Sequence, residues 1–140
     1  MMKHIPISHL DLIDGPYVVA LTTVMPDGQP QTTPVWCNRN EGYIFVNVMK
    51  GFGKEKNMRL NPKVSLLVFD PMNPLHNIEI RGHVIEMTEN GAVGHLDELT
   101  QLYLKNPNAN FFGDSIPAEL QSRYTPVRVK ILPTHIRVEG

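Results

Sequence analysis

The residues best suited to chemistry lie at 50–57, KGFGKEKN, where three lysines and two glycines share eight positions. A helix start exposes unpaired amide donors at the positive end of the helix dipole, so it favours Asp and Glu. Here the first turn is mainly cationic. Lys50 and Lys54 flank a glycine pair, and Lys54 and Lys56 open the expected helix, so ammonium groups and free amides can converge on a phosphate. Such a cluster destabilises the empty protein by roughly a few tenths of a kcal/mol per charge, and a bound dianion reverses that sign. The bland alternative is a solvated helix start, against which three lysines in one segment weigh.

Other familiar sites have no support. GFGKEK lacks the third glycine of a dinucleotide fingerprint and the Ser or Thr that follows the lysine of a P-loop. The histidines, His4, His9, His76, His83, His95 and His135, show neither H-x-x-x-H nor His/Cys spacing, so no metal site is expected. No serine lies in a G-x-S-x-G context, and Cys37 has no catalytic signature around it. Cys37 reads instead as a small strand residue beside a large Trp36.

Composition narrows the partners. The chain carries 13 Lys plus Arg against 14 Asp plus Glu over 140 residues, so it lacks the basic excess of a dedicated nucleic-acid binder. Any anion site must therefore be local. The length fits one domain spanning residues 1–140, and a single cysteine rules out an intrachain disulfide framework. The opening MMKHIPISHLDLIDG has no uninterrupted apolar run, and no segment approaches the roughly 18 to 20 apolar residues of a membrane span. We expect a cytoplasmic protein with no membrane partner.

The elements that must position the lysines are mostly strands. PISHLDLIDG predicts a short helix closed by Gly15. YVVALTTV and PQTTPVWC are two extended runs joined by the turn residues Pro26, Asp27 and Gly28. Pro30 and Pro34 lack amide donors, which suits an edge strand or a strand beside a ligand. NRNEG reads as a turn into YIFVNVM, with Tyr43, Phe45 and Asn47 on one face and Ile44, Val46 and Val48 on the other. KEKNMRLNP predicts about two helical turns, stopped by Asn61 and Pro62. KVSLLVFD is a near-continuous apolar strand, PMNPLH a loop, and NIEIRGHVIEMT a strand whose alternation slips at Gly82. Val93, Leu96, Leu99, Leu102 and Tyr103 share a face of the one long helix, and TPVRVKILPTHIRV closes the chain as strand, interrupted at Pro133. The result is mainly β, a six- or seven-stranded antiparallel β-barrel with flanking helices.

In this order the segments LTTVMPDGQPQTTPVW, YIFVNV, GKEKNMRLNPKVSLLVFD, IEIRGHVIEMTE and RVKILPTHI resemble the pyridoxamine 5'-phosphate oxidase-like split β-barrel proteins, in particular the short branch that includes coenzyme F420-dependent reductases. The most specific parts are Asp-Gly-x-Pro followed by Pro-Val-Trp, and Lys-x-Lys-Asn followed by Asn-Pro-x-Val-Ser. The resemblance implies an oxidoreductase that uses FMN, or alternatively F420, to exchange a hydride with a small organic substrate. It also implies a homodimer with cofactors bound between the subunits. By position, Lys54 and Lys56 would hold the phosphate, Asn57 would support them and Lys50 would add charge. Pro34, Val35 and Trp36 would lie along the ring system, and Asn47 and Val48 along the ribityl side. The family often has Arg at the position of Lys56, and lysine gives the charge without the bidentate fork. Trp36 fits core and cofactor platform equally, while His76, Asn77 and Arg81 fit either the partner's site or an ordinary surface. The basic C-terminal segment that holds a second phosphate in the vitamin B6 oxidases has no counterpart here. Two alternatives stay open: a flavin carrier or sensor without turnover, and a heme- or tetrapyrrole-binding relative with His76 or His135 as ligand.

Overall fold

The computed structural model describes residues 1–140 and contains one seven-stranded sheet in the order β2-β1-β5-β6-β7-β4-β3, every pairing antiparallel. The strands are β1 (Val19–Val24), β2 (Pro30–Val35), β3 (Cys37–Asn40), β4 (Tyr43–Met49), β5 (Lys63–Asp70), β6 (Asn73–Thr88) and β7 (Pro126–Glu139). Helix α1 (Leu10–Asp14) precedes the sheet, α2 (Gly53–Leu60) joins β4 to β5, and α3 (Ala92–Tyr103) lies between β6 and β7. No helix is long and apolar enough to cross a membrane.

One short connection explains why the sheet curls. Strands β2 and β3 are its two opposite edges, yet only Trp36 separates Val35 from Cys37. The edges must therefore lie side by side, and the sheet closes on itself as a half-barrel with its apolar residues inside. The run read as one strand, PQTTPVWC, is thus two. Its first part is the edge strand that Pro30 and Pro34 suggested, and Asn38 to Asn40 are paired strand rather than turn. Only Glu41 and Gly42 turn the chain, both with positive φ (53° and 84°), as a tight hairpin requires.

The core follows strand alternation. Ile44, Val46 and Val48 enter it from β4, Val64, Leu66 and Val68 from β5, and Val127, Val129 and Ile131 from β7. In β5 the apolar run is not buried on both faces: Leu67 and Phe69 are 41% and 44% exposed on the outside. The predicted loop PMNPLH is shorter than expected, since β6 begins at Asn73. On α3 the buried stripe is Ala92, His95, Leu96, Leu99 and Thr100, while Val93 is exposed, so the face is rotated from the one predicted and includes a histidine.

The irregularity expected at Gly82 is present, but its cause lies in the partner strand. Arg81 pairs with His135 and Gly82 with Pro133, so Thr134 is the extra residue, and inward alternation on β7 runs through Ile131 and Pro133 and resumes at Ile136. On β6 the inward phase continues through Ile78, Ile80, Gly82 and Val84 and slips at Ile85 instead. A Cβ at Gly82 would collide with the carbonyl of Leu132 and lie 3.0 Å from Ile131 Cγ2. Gly82→Ala is therefore expected to cost about 1–3 kcal/mol, read as a lower urea midpoint; an unchanged midpoint would show that β7 yields freely at the bulge.

Candidate functional site

Where β2 ends, β4 ends and α2 begins, a cleft of about 300 Å³ opens between the barrel and α3. Pro34, Val35 and Trp36 form one wall, Asn47, Val48 and Met49 another, Leu96 and Leu99 of α3 the floor, and Phe52, Phe111 and Val18 the rim. Lys54 is the single titratable residue among its lining. Six of the residues singled out in the sequence thus meet in one cavity: Pro34, Val35, Trp36, Asn47, Val48 and Lys54.

Trp36 is held in place by aromatic packing. Its ring stacks on Tyr103 at 5.0 Å between centroids and meets the edge of Phe111 at 6.3 Å. The Tyr103 hydroxyl accepts the amide of Cys37 at 3.0 Å and donates to the carbonyl of Tyr17 at 2.8 Å, which fixes the chain where it crosses between sheet edges. Tyr103 is therefore a structural residue, and burial raises its phenol pKa. Cys37 is fully buried, and desolvation pushes its thiol up to about 12, which makes a nucleophilic role untenable at neutral pH.

The lysine segment separates into distinct roles. The Lys54 ammonium is half-buried, donates to Thr33 Oγ1 at 3.1 Å, faces no carboxylate within ion-pair distance, and has its pKa lowered by desolvation. Lys56 is exposed and, at about 100° per residue, points about 200° around the helix from Lys54. Lys50 is exposed and paired with Glu89 at 3.1 Å. Asn57 is buried and donates to Thr23 Oγ1 at 3.1 Å and Gln31 Oε1 at 3.0 Å, which fastens α2 to β1 and β2. Lys50, Lys56 and Asn57 do not line the cleft.

Between the lysines lies a carboxylate whose role the sequence reading missed. Glu55 is buried, accepts the amide of Gly51 at 2.8 Å and pairs with Arg59 one turn later at 2.7 Å. Gly51 sits at φ +88°, so the loop turns its amide back toward the helix. The E-x-x-x-R spacing was the available signal. Burial alone would push the Glu55 carboxyl up, but the Gly51 amide, Arg59 and nearby Lys50 outweigh it and hold the group below the usual glutamate range. A lowered carboxylate pKa adds stability that is complete above the unfolded value and is lost as pH falls through the folded one. Glu55→Gln should therefore cost about 1–2 kcal/mol at neutral pH, and its deficit should shrink in acid below about pH 4; a deficit constant with pH in chemical denaturation would refute this.

His76 is engaged elsewhere. Its Nε2 lies 3.0 Å from the Asp11 carboxylate and its Nδ1 3.2 Å from the Gly140 oxygen, and its pKa is raised, chiefly by Asp11. Both ring nitrogens are committed to acceptors, which leaves neither free as a ligand in this conformation. Arg81 pairs with Glu79 on the outer sheet face, beside Asn77.

The cleft continues onto that outer face. Val18 and Pro34 also border an apolar depression formed with Pro16, Tyr17, Leu67, Phe69 and Pro71. Val18 is 59% exposed there.

The family model for pyridoxamine 5'-phosphate oxidase matches residues 5–130. No curated protein matches the sequence. A solved structure named as an F420 reductase superposes with a TM-score of 0.79 at 25% identity, over 95% of this chain and 98% of that one. A conserved hypothetical protein from Mycobacterium tuberculosis gives 0.71 at 21% identity, over 99% and 86% of the two chains. A heme storage protein from Vibrio cholerae gives 0.60 at 18%, over 88% and 86%. These last two likenesses concern the fold alone.

Proposed function

The chain belongs to the pyridoxamine 5'-phosphate oxidase family, and on that premise we propose that it is an oxidoreductase whose cleft holds FMN or F420 for hydride exchange with a small organic substrate. The observation that carries the proposal is Lys54, a partly desolvated ammonium with no counter-carboxylate and the one charged group lining a mostly apolar cleft walled by Trp36. A cation in that position gains most from a phosphate. The first amides of α2 have no acceptor within the helix and no side-chain cap, so they are free to donate to an anion held by Lys54. Asn47 Oδ1 is buried without a partner, a second polar group whose match would come with a ligand.

The cofactor supplies the hydride chemistry when bound. The chain's part is binding, orientation and exclusion of water. Lys54 anchors the phosphate, with Lys56 adding charge from outside the cleft and Lys50 doing so only when released from Glu89. Asn57 holds α2 against the sheet so that Lys54 keeps its place. Pro34, Val35 and Trp36 offer a flat apolar wall to a ring system, with Asn47 and Val48 opposite. Since no other lining residue titrates, the cleft has no side chain poised for acid or base work.

The same reading makes the protein a homodimer. Exposed Val18, Leu67 and Phe69 continue the cleft's apolar surface outward, so a second copy seated there covers them and closes the cleft. Its single cysteine, buried and unpaired, suits the reducing cytoplasm in which we place it.

The experiment is spectroscopic. Protein loaded with cofactor should bleach with reductant and recover with an organic acceptor. A bound but inert cofactor would make it a carrier or sensor, and a Soret band in the purified protein would favour the tetrapyrrole alternative.

A further inference from the structure

Behind the cleft, polar side chains from three elements form a chain of hydrogen bonds. Asn47 on β4 donates from Nδ2 to the Ala92 carbonyl at 2.9 Å, and the same Nδ2 lies 3.1 Å from Nδ1 of His95 on α3. His95 Nε2 lies 2.9 Å from Oδ1 of Asn38 on β3. A main-chain carbonyl only accepts, so the NH₂ end of Asn47 must face Ala92. Its second N–H then meets His95 Nδ1, which must accept, and the imidazole proton is left on Nε2 as the donor to Asn38. A single tautomer satisfies all three contacts. Burial, with a smaller push from Arg128, lowers the His95 pKa to about 4, so the ring is neutral at ordinary pH.

With both N–H groups of Asn47 committed, its Oδ1 has no partner although it is buried. Asn47 lines the cleft, and the other lining side chains present apolar groups, the Trp36 and Lys54 donors or weakly accepting methionine sulfur. Oδ1 is thus the one side-chain oxygen acceptor carried by a cleft-lining residue.

We infer that His95 is a positioning residue: it locks the Asn47 amide in the orientation that keeps Oδ1 as the acceptor for a hydroxyl or N–H of the molecule bound in the cleft. The inference rests on the cofactor reading of that cleft. Because Oδ1 is shielded from water in this conformation, the lining must part slightly as the donor enters. A protonated His95, or one with its proton on Nδ1, would set donor against donor and turn the amide away. The site therefore selects a ligand with an apolar body, an anionic end for Lys54 and a hydrogen-bond donor between them.

The test uses the full chain with His95→Leu, His95→Asn and Asn47→Leu, titrated with FMN and F420, alongside ¹⁵N spectra of the wild-type imidazole. We expect a neutral ring with its proton on Nε2 from about pH 5 to 8. His95→Leu should weaken the cofactor that binds by roughly 5- to 10-fold. His95→Asn, which restores an acceptor near the place of Nδ1, should recover most of that affinity, and His95→Leu should add nothing in an Asn47→Leu background. Unchanged affinity in His95→Leu, equal losses in both His95 variants, or a proton on Nδ1 would overturn the inference. If the wild-type chain binds neither probe, the cofactor reading falls and takes the ligand half of the inference with it, while the imidazole spectrum still decides the lock.

Discussion

Lys54→Met is expected to weaken binding of the cofactor by about 10- to 100-fold while leaving the empty protein as stable as before, or more so. A charge-assisted hydrogen bond contributes about 1.5–3 kcal/mol, and each 1.4 kcal/mol is tenfold in affinity. The stability side follows from the direction of the Lys54 shift. Its folded pKa lies below the unfolded value, so holding the charge costs stability at any pH below the folded pKa, and that cost disappears only as the pH rises past it. Methionine keeps the apolar stem and removes the cost. Thr33, which loses its partner, is only half-buried and can turn to water. Lys56→Met should cost less, under about fivefold, because an exposed charge contributes at most about 1 kcal/mol. Fluorescence titration and thermal melts of cofactor-free protein read both halves. Equal losses from the two lysines would mean that Lys56 reaches the phosphate as closely as Lys54, and a melt lowered by several degrees in Lys54→Met would mean that Lys54 serves the fold.

If the proposed dimer forms through this face, Phe69→Glu is expected to raise its dissociation constant by at least about 100-fold, because the charge would be stranded between two apolar faces. Phe69 is 44% exposed in the single chain and outside the core cluster, so the fold itself should survive the change. Sedimentation velocity at micromolar concentration measures the association. In the proposed dimer, cofactor affinity should fall with it, since the partner would close the cleft beside Val18 and Pro34. A variant that stays dimeric would move the interface to another face. A monomeric wild-type chain would sink the shared-site account altogether.

Much of the barrel was legible from local chemistry. The Pro-Asp-Gly turn marked the β1–β2 hairpin, the prolines marked β2 as an edge, and the alternation in YIFVNV assigned both faces of β4 correctly. What local patterns could not show was the jump at Trp36, because a strand's pairing partner is a long-range property and Cys37 to Asn40 look much like the turn that follows. The exposure of Leu67 and Phe69 was hidden for the same reason, since an apolar run is compatible with one buried face or two. In the site, residue type pointed to the lysines but not to their geometry. Helical angle separates Lys54 from Lys56, an ion pair with Glu89 occupies Lys50, and Asn57 turns to Thr23 and Gln31. Glu55 and His95 escaped notice because each was read by charge or metal spacing, whereas its role depends on burial and on a partner: Gly51 and Arg59 for one, Asn38 and Asn47 for the other.

The central claim is that this cleft holds a flat redox cofactor by its phosphate. It is tested most directly by titrating the purified chain in parallel with FMN, F420 and riboflavin, which is FMN without the phosphate. The account predicts saturable binding of FMN or F420, one molecule per chain, and, if FMN binds, at least about tenfold weaker binding of riboflavin. Failure of both cofactors to bind, or riboflavin binding as tightly as FMN, would contradict it.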